Sequence, residues 1–490
     1  MLRQLRRLAF VWLLAFLTVS CTGGGDGDVA NSGGIGGTGI SSGSISSFGS
    51  IFVNGIEFHL TGVPITIDDQ AGTEADLQLG QVVTVTTNIG DDGSVSVTKV
   101  DFDYNLEGPI SDVPQQADPD GLTKSFTVLG TTVIVDIDDT VFGTGYAFDQ
   151  ISQNDFVRIS GFFDSNNVLH AKYIAKTASA IEVEAKGKIT GLDTLSQTFM
   201  LRGLTVTYAG ADLSGVPGGL QDGLFVEVKG TLVAPGSVSA GTIELEGSAQ
   251  NAVAAAVEGI ITSFASNSDF IIDSGNGPVH VDAGAAVFDP PGLVLRSDLE
   301  IEAEGTLVNG TLVATKVQQR SALNKLEAKA AVKPTGDVIE LDFGPSVGHG
   351  MVNVDGQTQY QDLRDHLRTF SLANINQGDF LLVKARQSSG TLVATRIQRT
   401  NPRDVVLQGP VEAVASTAPN TGTITVLGLT FHTTDGTTEF KDADNQPLNG
   451  DFYTQVKSGD LLHIKDKDSS ALPPDDGMGN GTADTVEFEN

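Results

Sequence analysis

The stretch FTVLGTTVIV, residues 126–135, decides the fold class of this chain. Its apolar residues alternate with small polar ones around Gly130, which predicts two short strands joined by a glycine turn. Similar stretches return as FMLRGLTVT at 199–207 and as ITVLGLTF at 424–431. Period-two alternation places one face of each strand inward and the other face in water. The chain is therefore predicted to consist of repeated β-hairpins.

The hairpins belong to a longer repeat. GTLVATKVQ at 310–318 and GTLVATRIQ at 390–398 are nearly identical and lie 80 residues apart. A turn-and-strand signature, of which NDFVRISG at 154–161 is one example, precedes segments of this kind. Unit openings fall near residues 45, 109, 188, 260, 329 and 410, with a mean spacing of about 73 residues. The chain therefore contains six copies of one unit.

Each unit offers five short strands and no sustained helical period, with at most a helical turn near Tyr146 to Gln150. Five strands with glycine bends in about 70 residues suit a small closed barrel, which leaves few open edges. We predict an all-β chain of tandem small five-stranded OB-like barrels, with small β-sandwich modules as the alternative. The fifth unit is the most degenerate, because Val347–Met351 interrupts its hairpin and Asp362–Phe370 allows a helix.

The first twenty residues have the pattern of an export signal. Three arginines within Met1–Arg7 precede the apolar run LAFVWLLAFL at 8–17, which is too short to span a bilayer as a helix. The run leads into Leu17–Cys21, and Cys21 is the only cysteine of the chain. This segment resembles the lipobox of bacterial lipoproteins. The resemblance implies that Cys21 is lipidated and becomes the first residue of the mature protein.

The segment after Cys21 is rich in glycine, serine and aspartate, which predicts a flexible tether. Because Thr22 rather than aspartate follows the cysteine, the resemblance implies an outer membrane lipoprotein, facing the periplasm or the cell surface. The predicted organisation is a lipoprotein signal peptide at 1–20, a tether at 21–43, and β modules at 44–107, 108–180, 181–250, 251–324, 325–403 and 404–490.

Composition excludes several functions. The chain has 29 Lys and Arg against 61 Asp and Glu, a formal charge of −32, whereas binding to nucleic acid needs a basic surface. No pair of its seven histidines has the spacing of a local metal site. Acidic segments such as Asp68–Asp69 and Asp136–Asp139 do not match an EF-hand loop and are typical of turns. We predict no catalytic residue, no metal site and no cofactor, with calcium as an alternative ligand.

Two formal catalytic motifs lie in the predicted tether. Gly34–Gly39 fits the dinucleotide-binding fingerprint, and Gly39–Gly43 fits the nucleophile elbow. Both chemistries need a loop held between a strand and a following helix, and no helix is predicted here. We interpret both matches as accidents of a glycine-rich composition.

Taken together, the repeated segments resemble the bacterial family called domain of unknown function 5666 (DUF5666). The resemblance is strongest in GISSGSISSFGSIFVNGIEF at 39–58, continues in SVSVTKV at 94–100 and NLEGP at 105–109, and extends over most of 39–490. It implies an exported, often lipidated protein of tandem β-rich modules, and it implies no activity and no catalytic residues.

The expected function is that of a non-enzymatic, lipid-anchored scaffold or binding surface in the cell envelope. A string of six modules would make multivalent weak contacts, and its acidity would attract cationic partners such as envelope proteins. Two alternatives from other classes are a small-ligand or calcium-binding protein and an envelope hydrolase.

Overall fold

The computed structural model describes residues 37–118, 121–178, 182–247, 251–388, 390–467 and 479–489. In these ranges the chain forms strands and short 3₁₀ helices, and it contains no α-helix. None of the helices in the described ranges is long and apolar enough to cross a membrane. The predicted signal peptide and Cys21 lie outside the described residues, so the lipidation of Cys21 stays a prediction.

The strands group into six units, called barrels 1 to 6 in chain order, and within the described residues strand pairing closes the ring in barrels 2 to 6 but not in barrel 1, where β3 pairs with β2 alone. Barrel 1 contains β1 (Gly37–Ser47), β2 (Ile51–Val53), β3 (Ile56–Phe58), β4 (Ile65–Ile67), β5 (Gln70–Gly72), β6 (Val82–Ile89) and β7 (Val95–Phe102). Barrel 2 contains β8 (Leu106–Pro109), β9 (Gln115–Gln116), β10 (Thr123–Val128), β11 (Thr131–Asp136), β12 (Val141–Phe142), β13 (Phe156–Phe163) and β14 (Leu169–Lys176). Barrel 3 contains β15 (Glu182–Asp193), β16 (Thr198–Leu201), β17 (Leu204–Thr207), β18 (Asp212–Gly215), β19 (Phe225–Ala234) and β20 (Ser237–Leu245).

The second half of the chain repeats the same plan. Barrel 4 contains β21 (Ala252–Ser266), β22 (Asp269–Asp273), β23 (Pro278–Asp282), β24 (Val287–Asp289), β25 (Glu300–Val308) and β26 (Thr311–Gln319). Barrel 5 contains β27 (Asn324–Ala330), β28 (Val338–Asp342), β29 (His349–Asn353), β30 (Gln359–Asp362), β31 (Phe380–Ser388) and β32 (Thr391–Thr400). Barrel 6 contains β33 (Val405–Ala418), β34 (Thr421–Val426), β35 (Leu429–Thr433), β36 (Glu439–Lys441), β37 (Leu461–Asp466) and β38 (Thr485–Phe488). The 3₁₀ helices are Glu74–Asp76, Phe148–Gln150, Leu372–Asn374 and Phe452–Thr454.

The strand order is that of an OB-like barrel. In barrel 3 the ring runs β15, β16, β17, β20, β19 and back to β15, and within it only the β17–β20 pair is parallel. Barrels 4 and 5 close in the same order. Barrels 2 and 6 close through single bridges, Ile110 with Val128 and His432 with Thr482. The predicted fold class of tandem five-stranded OB-like barrels is confirmed.

Glycines shape the hairpin of β10 and β11 and the strand β13 in barrel 2. The two-residue turn between β10 and β11 places Leu129 at φ 49° and Gly130 at φ 78°, in the left-handed region that such turns require. In β13, a Cβ on Gly161 would lie 2.1 Å from the carbonyl oxygen of His170, at the point where the strand register shifts. Glycine therefore permits both the tight turn and the bulge.

The fifth unit differs from its prediction. Its segment Gln359–Asp362 forms β30, which pairs in parallel with β32, and residues 363–370 follow in turns. The helix that the sequence allows at Asp362–Phe370 therefore does not form. Strand pairing and the contact of Asp362 Oδ1 with Arg399 Nε, at 3.0 Å, hold the start of this segment extended. The residues His349–Met351 belong to β29 and do not interrupt the hairpin.

The strand β1 begins at Gly37, so residues 37–43 are not part of a flexible tether. They pair with β6 and with β21 of barrel 4. A Cβ on Gly39 would lie 2.4 Å from Thr87 Oγ1, and a Cβ on Gly43 would lie 2.4 Å from Asn54 Oδ1. The glycines that suggest flexibility in the sequence here allow close packing, and Gly39–Gly43 is a strand rather than a nucleophile elbow.

First strands join the barrels in three pairs. Strand β8 of barrel 2 pairs antiparallel with β15 of barrel 3, and β27 of barrel 5 pairs antiparallel with β33 of barrel 6. Strand β1 of barrel 1 pairs in parallel with β21 of barrel 4. The described residues from Gly37 onward form one compact unit. The modules are paired through their first strands, which leaves fewer of these strands exposed as sheet edges.

Candidate functional site

A row of charged side chains crosses barrels 2 and 3. The strand register places Arg158 opposite Glu107, Glu107 opposite Glu184, and Glu184 opposite Lys229. We call these four residues the first row. Glu107 and Glu184 join the two barrels and are only 7% and 4% exposed. Like charges directly opposite each other on neighbouring strands destabilise a sheet.

The turn between β4 and β5 of barrel 1 covers the first row. Its two residues, Asp68 and Asp69, have φ of 51° and 60°, as a two-residue hairpin turn requires. Asp68 forms a group of three carboxylates with Glu107 and Glu184, in which one oxygen of each residue lies within 4.8 Å of the others. Residues from three barrels therefore meet at one point.

A second group of carboxylates lies beside the first. Glu227 stands opposite Glu244 on β19 and β20, and Asp69 completes a group of three with them. Lys229 supplies a positive charge to this group, because its Nζ contacts Asp69 and lies 3.2 Å from Glu227 Oε2. Lys229 therefore offsets part of the charge of the second group.

Burial shifts the pKa values of the first group. It raises the pKa of Glu184 well above the usual range, and the neighbouring Glu227 and Asp68 raise it further. Burial also raises the pKa of Glu107. For Asp68, burial opposes ionisation, but contacts with Glu184 and Lys229 lower the pKa overall. The group therefore holds ionisable oxygens of unequal acidity in a small space.

A fully buried lysine completes the cluster. Lys186 Nζ lies 3.4 Å from Glu227 Oε1, 3.5 Å from Asp103 Oδ2 and 3.7 Å from Glu246 Oε2. Burial raises the pKa of Glu246 to about 7, although Lys186 opposes that shift. Burial alone would lower the pKa of Lys186, but these carboxylates raise it overall, so the lysine stays charged.

The junction of barrels 5 and 6 has the same register with different residues. The positions of the first row are held there, in order, by His463, Gln408, Lys325 and Lys384. Lys325 thus occupies the position of Glu184, and Gln408 occupies that of Glu107. Burial and the nearby Lys325 lower the pKa of His463 to about 3, so this histidine is neutral.

An aspartate pair covers this junction as well. The sequence IDD occurs at 67–69 in barrel 1 and again at 137–139 in barrel 2. Lys325 Nζ lies 2.7 Å from Asp138 Oδ2 and 2.8 Å from Glu327 Oε1. Lys384 Nζ lies 3.0 Å from Asp139 Oδ1. Here the chain itself provides the positive charges that its buried carboxylates need.

A polar groove of about 570 Å³ lies between barrels 1, 3 and 4. Threonines of barrel 1 line it, namely Thr38, Thr66, Thr84, Thr86 and Thr98. The carboxylates of Asp69, Asp103 and Glu246 also line it. Because Asp69 and Glu246 belong to the charged clusters described above, the groove is continuous with them.

A family model described as "Domain of unknown function (DUF5666)" matches residues 107–175, 186–244, 258–318, 346–398 and 408–468, together more than half of the chain. The chain belongs to this family. The predicted resemblance is therefore confirmed, but residues 39–58, where it was expected to be strongest, lie outside the matched segments. The fifth unit of this DUF5666 chain is matched despite its degeneracy.

No curated protein matches the chain. A solved structure titled "drosophila Unr CSD456" is 12% identical, with 43% of this chain and 90% of that chain covered and a TM-score of 0.17. The OB-like assignment of the DUF5666 barrels therefore rests on their own strand order.

The group of three carboxylates is not a property of the matched DUF5666 segments. Glu107 is the first residue of a matched segment, whereas Asp68 and Glu184 lie outside all five. The group belongs to the particular way in which this chain joins its barrels.

Sequence reasoning named Asp68–Asp69 as a turn and overlooked the glutamates that meet it. In EVEAKGK at 182–188 the charged residues alternate with apolar ones, as they do on a solvated strand face. A comparison between the repeats carries the signal that could have identified them. Glu184 and Lys325 occupy the same register position in the first strands of two repeats, and their charges are opposite. The histidines considered as metal ligands do not converge, and neither group of three within the described ranges contains one.

Proposed function

We propose that this DUF5666 protein is a non-enzymatic, lipid-anchored protein of the cell envelope that acts as a scaffold and binding surface. The sequence supports the anchor, because the apolar run at 8–17 leads to the sole cysteine, Cys21. The polar groove between barrels 1, 3 and 4 is the observation that supports the binding role.

The chemistry of the groove suits a positively charged, polar partner. Threonine hydroxyls can donate and accept hydrogen bonds, and the carboxylates of Asp69 and Asp103 favour a cation. The groove already accommodates an ammonium group, since Lys99 Nζ lies 2.6 Å from Asp101 Oδ1. We infer that the partner is a segment of another envelope protein that carries lysine or arginine side chains.

Site-specific photocrosslinking in the native envelope tests this proposal. A photoreactive amino acid replaces Thr98, which is exposed in the groove, and in a matched variant it replaces Thr315, which is exposed on β26 of barrel 4. We expect defined protein adducts from position 98 and none from position 315. The adducts should disappear when Asp101 and Asp103 are both changed to asparagine.

The anchor is tested in the same experiment. In a Cys21→Ala background we expect the protein to leave the membrane fraction and the adducts at position 98 to be lost. Equal adduct patterns at positions 98 and 315, or adducts that persist without the two aspartates, would contradict binding in the groove. Membrane retention of the Cys21→Ala variant would contradict the anchor.

A further inference from the structure

We propose that Asp68, Glu107 and Glu184 form a calcium site that joins barrels 1, 2 and 3. Each ligand comes from a different barrel: Asp68 from the turn after β4, Glu107 from β8 and Glu184 from β15. The site lies away from the anchor at Cys21 in sequence, and it does not depend on the groove binding a partner. An ion at this point would fix three barrels to one another.

A buried carboxylate oxygen without a partner points to a ligand. The Glu184 side chain is 4% exposed, and its Oε1 has no hydrogen-bond partner among the described residues. The nearest basic group, Lys229 Nζ, lies 3.8 Å from the other oxygen, Oε2. A metal ion in contact with this oxygen would supply the partner that it lacks.

The junction of barrels 5 and 6 shows what this position requires. There Lys325, at the register position of Glu184, places an ammonium group 2.7 Å from the covering Asp138. At the junction of barrels 2 and 3 the covering aspartate, Asp68, is retained, but it meets the carboxylate of Glu184. One junction therefore has a lysine at the register position where the other has a third carboxylate.

The charges of the first row and of the two aspartates that cover it, Asp68 and Asp69, are unbalanced. Arg158 Nε lies 2.9 Å from Glu107 Oε2, and Lys229 Nζ lies 3.3 Å from Asp68 Oδ1. Within the described part of the chain, these are the basic groups that contact the row and the two aspartates covering it. Four carboxylates thus face two basic side chains, and one of these, Lys229, also contacts Glu227 of the second group. An ion bound here would offset part of the remaining negative charge.

The ligand set favours calcium over other metals. Carboxylate oxygens are the ligands of hard cations, and the group contains neither sulfur nor imidazole. The ligand oxygens lie within 4.8 Å of one another. Calcium accepts carboxylate oxygens at about 2.3–2.6 Å in flexible geometry, whereas magnesium demands near-ideal octahedral geometry at about 2.0–2.1 Å and keeps several waters.

The second group of three does not make a further site. Asp69, Glu227 and Glu244 surround a region that Lys229 already occupies, with its Nζ 3.2 Å from Glu227 and in contact with Asp69. The same Nζ lies farther from the first group, at 3.3 Å from Asp68 Oδ1 and 3.8 Å from Glu184 Oε2, so a second calcium ion, and not the first, would have to displace this ammonium group. We therefore expect one calcium ion per chain.

Calcium titration of the full-length protein, purified in mild detergent and treated with chelator, tests the site. Isothermal titration calorimetry should give one calcium ion per chain. Thermal unfolding should shift upward by about 3 °C at a calcium concentration 100 times the Kd. Glu184→Gln should weaken calcium binding at least tenfold. Failure of the wild-type protein to bind calcium, or an unmoved Tm, would overturn the proposal.

Glu182→Gln is the matched control. Glu182 lies two residues before Glu184 on β15, is exposed, and undergoes the same change of charge without belonging to the group of three. Its affinity for calcium should stay within twofold of that of the wild type. An equal loss in both variants would show a general attraction of cations to an acidic surface and would overturn the site.

Glu184→Lys provides a second test that does not depend on Glu184→Gln folding well. This variant recreates at barrel 3 the charge that Lys325 supplies at barrel 5. We expect it to bind no calcium and to melt in chelator at or above the Tm of the calcium-loaded wild type. A folded Glu184→Lys variant that still binds one calcium ion with wild-type affinity would refute the site.

Discussion

The junction of barrels 2 and 3 and the junction of barrels 5 and 6 share a backbone arrangement and differ in charge. Both pair first strands antiparallel, with Leu106 opposite Ala185 in one and Leu326 opposite Leu407 in the other. Backbone hydrogen bonds and buried apolar residues set the geometry in both cases. The comparison teaches that the geometry of a junction does not dictate how its buried charge is neutralised.

The junction of barrels 1 and 4 neutralises buried negative charge in another way. Within barrel 4, Glu258 stands opposite Glu302, which again places two buried carboxylates face to face. Burial raises the pKa of Glu302 to about 8, so a proton neutralises it at neutral pH. The chain thus uses a lysine at one junction and a proton at another, and we propose calcium at the third.

The largest expected effect comes from removing the internal cation. Lys325→Met should lower the free energy of unfolding by about 3–5 kcal/mol, because Asp138 and Glu327 would remain buried without their ammonium partner. Urea denaturation of the full-length protein, followed by circular dichroism, measures this loss. The variant should keep its response to calcium, since Lys325 belongs to the other junction.

Lys99→Met is the control for that experiment. Lys99 forms an ion pair with Asp101, and its side chain is 51% exposed, against 9% for Lys325. An exposed pair of this kind contributes about 0–1 kcal/mol. If Lys325→Met cost no more than Lys99→Met, the ammonium group would not be what stabilises the junction of barrels 5 and 6, and the comparison would fail.

Local pattern predicts the strands of this chain well. FTVLGTTVIV becomes β10 and β11 with Gly130 at φ 78°, because alternation and turn chemistry act between neighbours in sequence. The helical turn expected near Tyr146 to Gln150 is the 3₁₀ helix Phe148–Gln150. The fold class followed from such local signals, repeated six times.

The junctions could not be predicted in the same way. The burial of Glu184 depends on a turn of barrel 1 that lies more than a hundred residues earlier, and no period or motif encodes that contact. The sequence predicts a tether at residues 37–43 because glycine-rich segments are typical of flexible linkers. Glycine also permits strands to pack closely, so the composition does not distinguish the two roles. The pairing of β1 with β6 and with β21 decides between these two roles.

A smaller effect should follow from replacing the protonated carboxyl group of Glu302, at the junction of barrels 1 and 4, by an amide. Above about pH 4.5 the unfolded chain ionises Glu302, whereas the folded chain holds its proton until about pH 8. Stability attributable to this residue therefore falls as the pH rises through that window. Glu302→Gln should raise the free energy of unfolding by about 1–3 kcal/mol at pH 8 and by almost nothing at pH 4.5.

The groups that face Glu302 make this test specific. Gln357 Nε2 donates to a carboxylate oxygen of Glu302, and a glutamine at position 302 retains an oxygen to accept that hydrogen bond. The charges of Glu258, Arg320 and Glu304 stay in place. Denaturation midpoints measured from pH 4.5 to pH 8 check the result. A gain of equal size at every pH would mean that packing, and not the proton, causes the effect.

The smallest effect should come from Glu244→Gln, which separates the two carboxylate groups at the junction of barrels 2 and 3. Lys229 pairs with the other two members of the group to which Glu244 belongs, Asp69 and Glu227, so the loss of the Glu244 carboxylate should change the free energy of unfolding by less than about 1 kcal/mol. Calcium affinity should stay within twofold of the wild-type value. A tenfold loss would place the ion among Asp69, Glu227 and Glu244, and Lys229 would then have to move away when calcium binds.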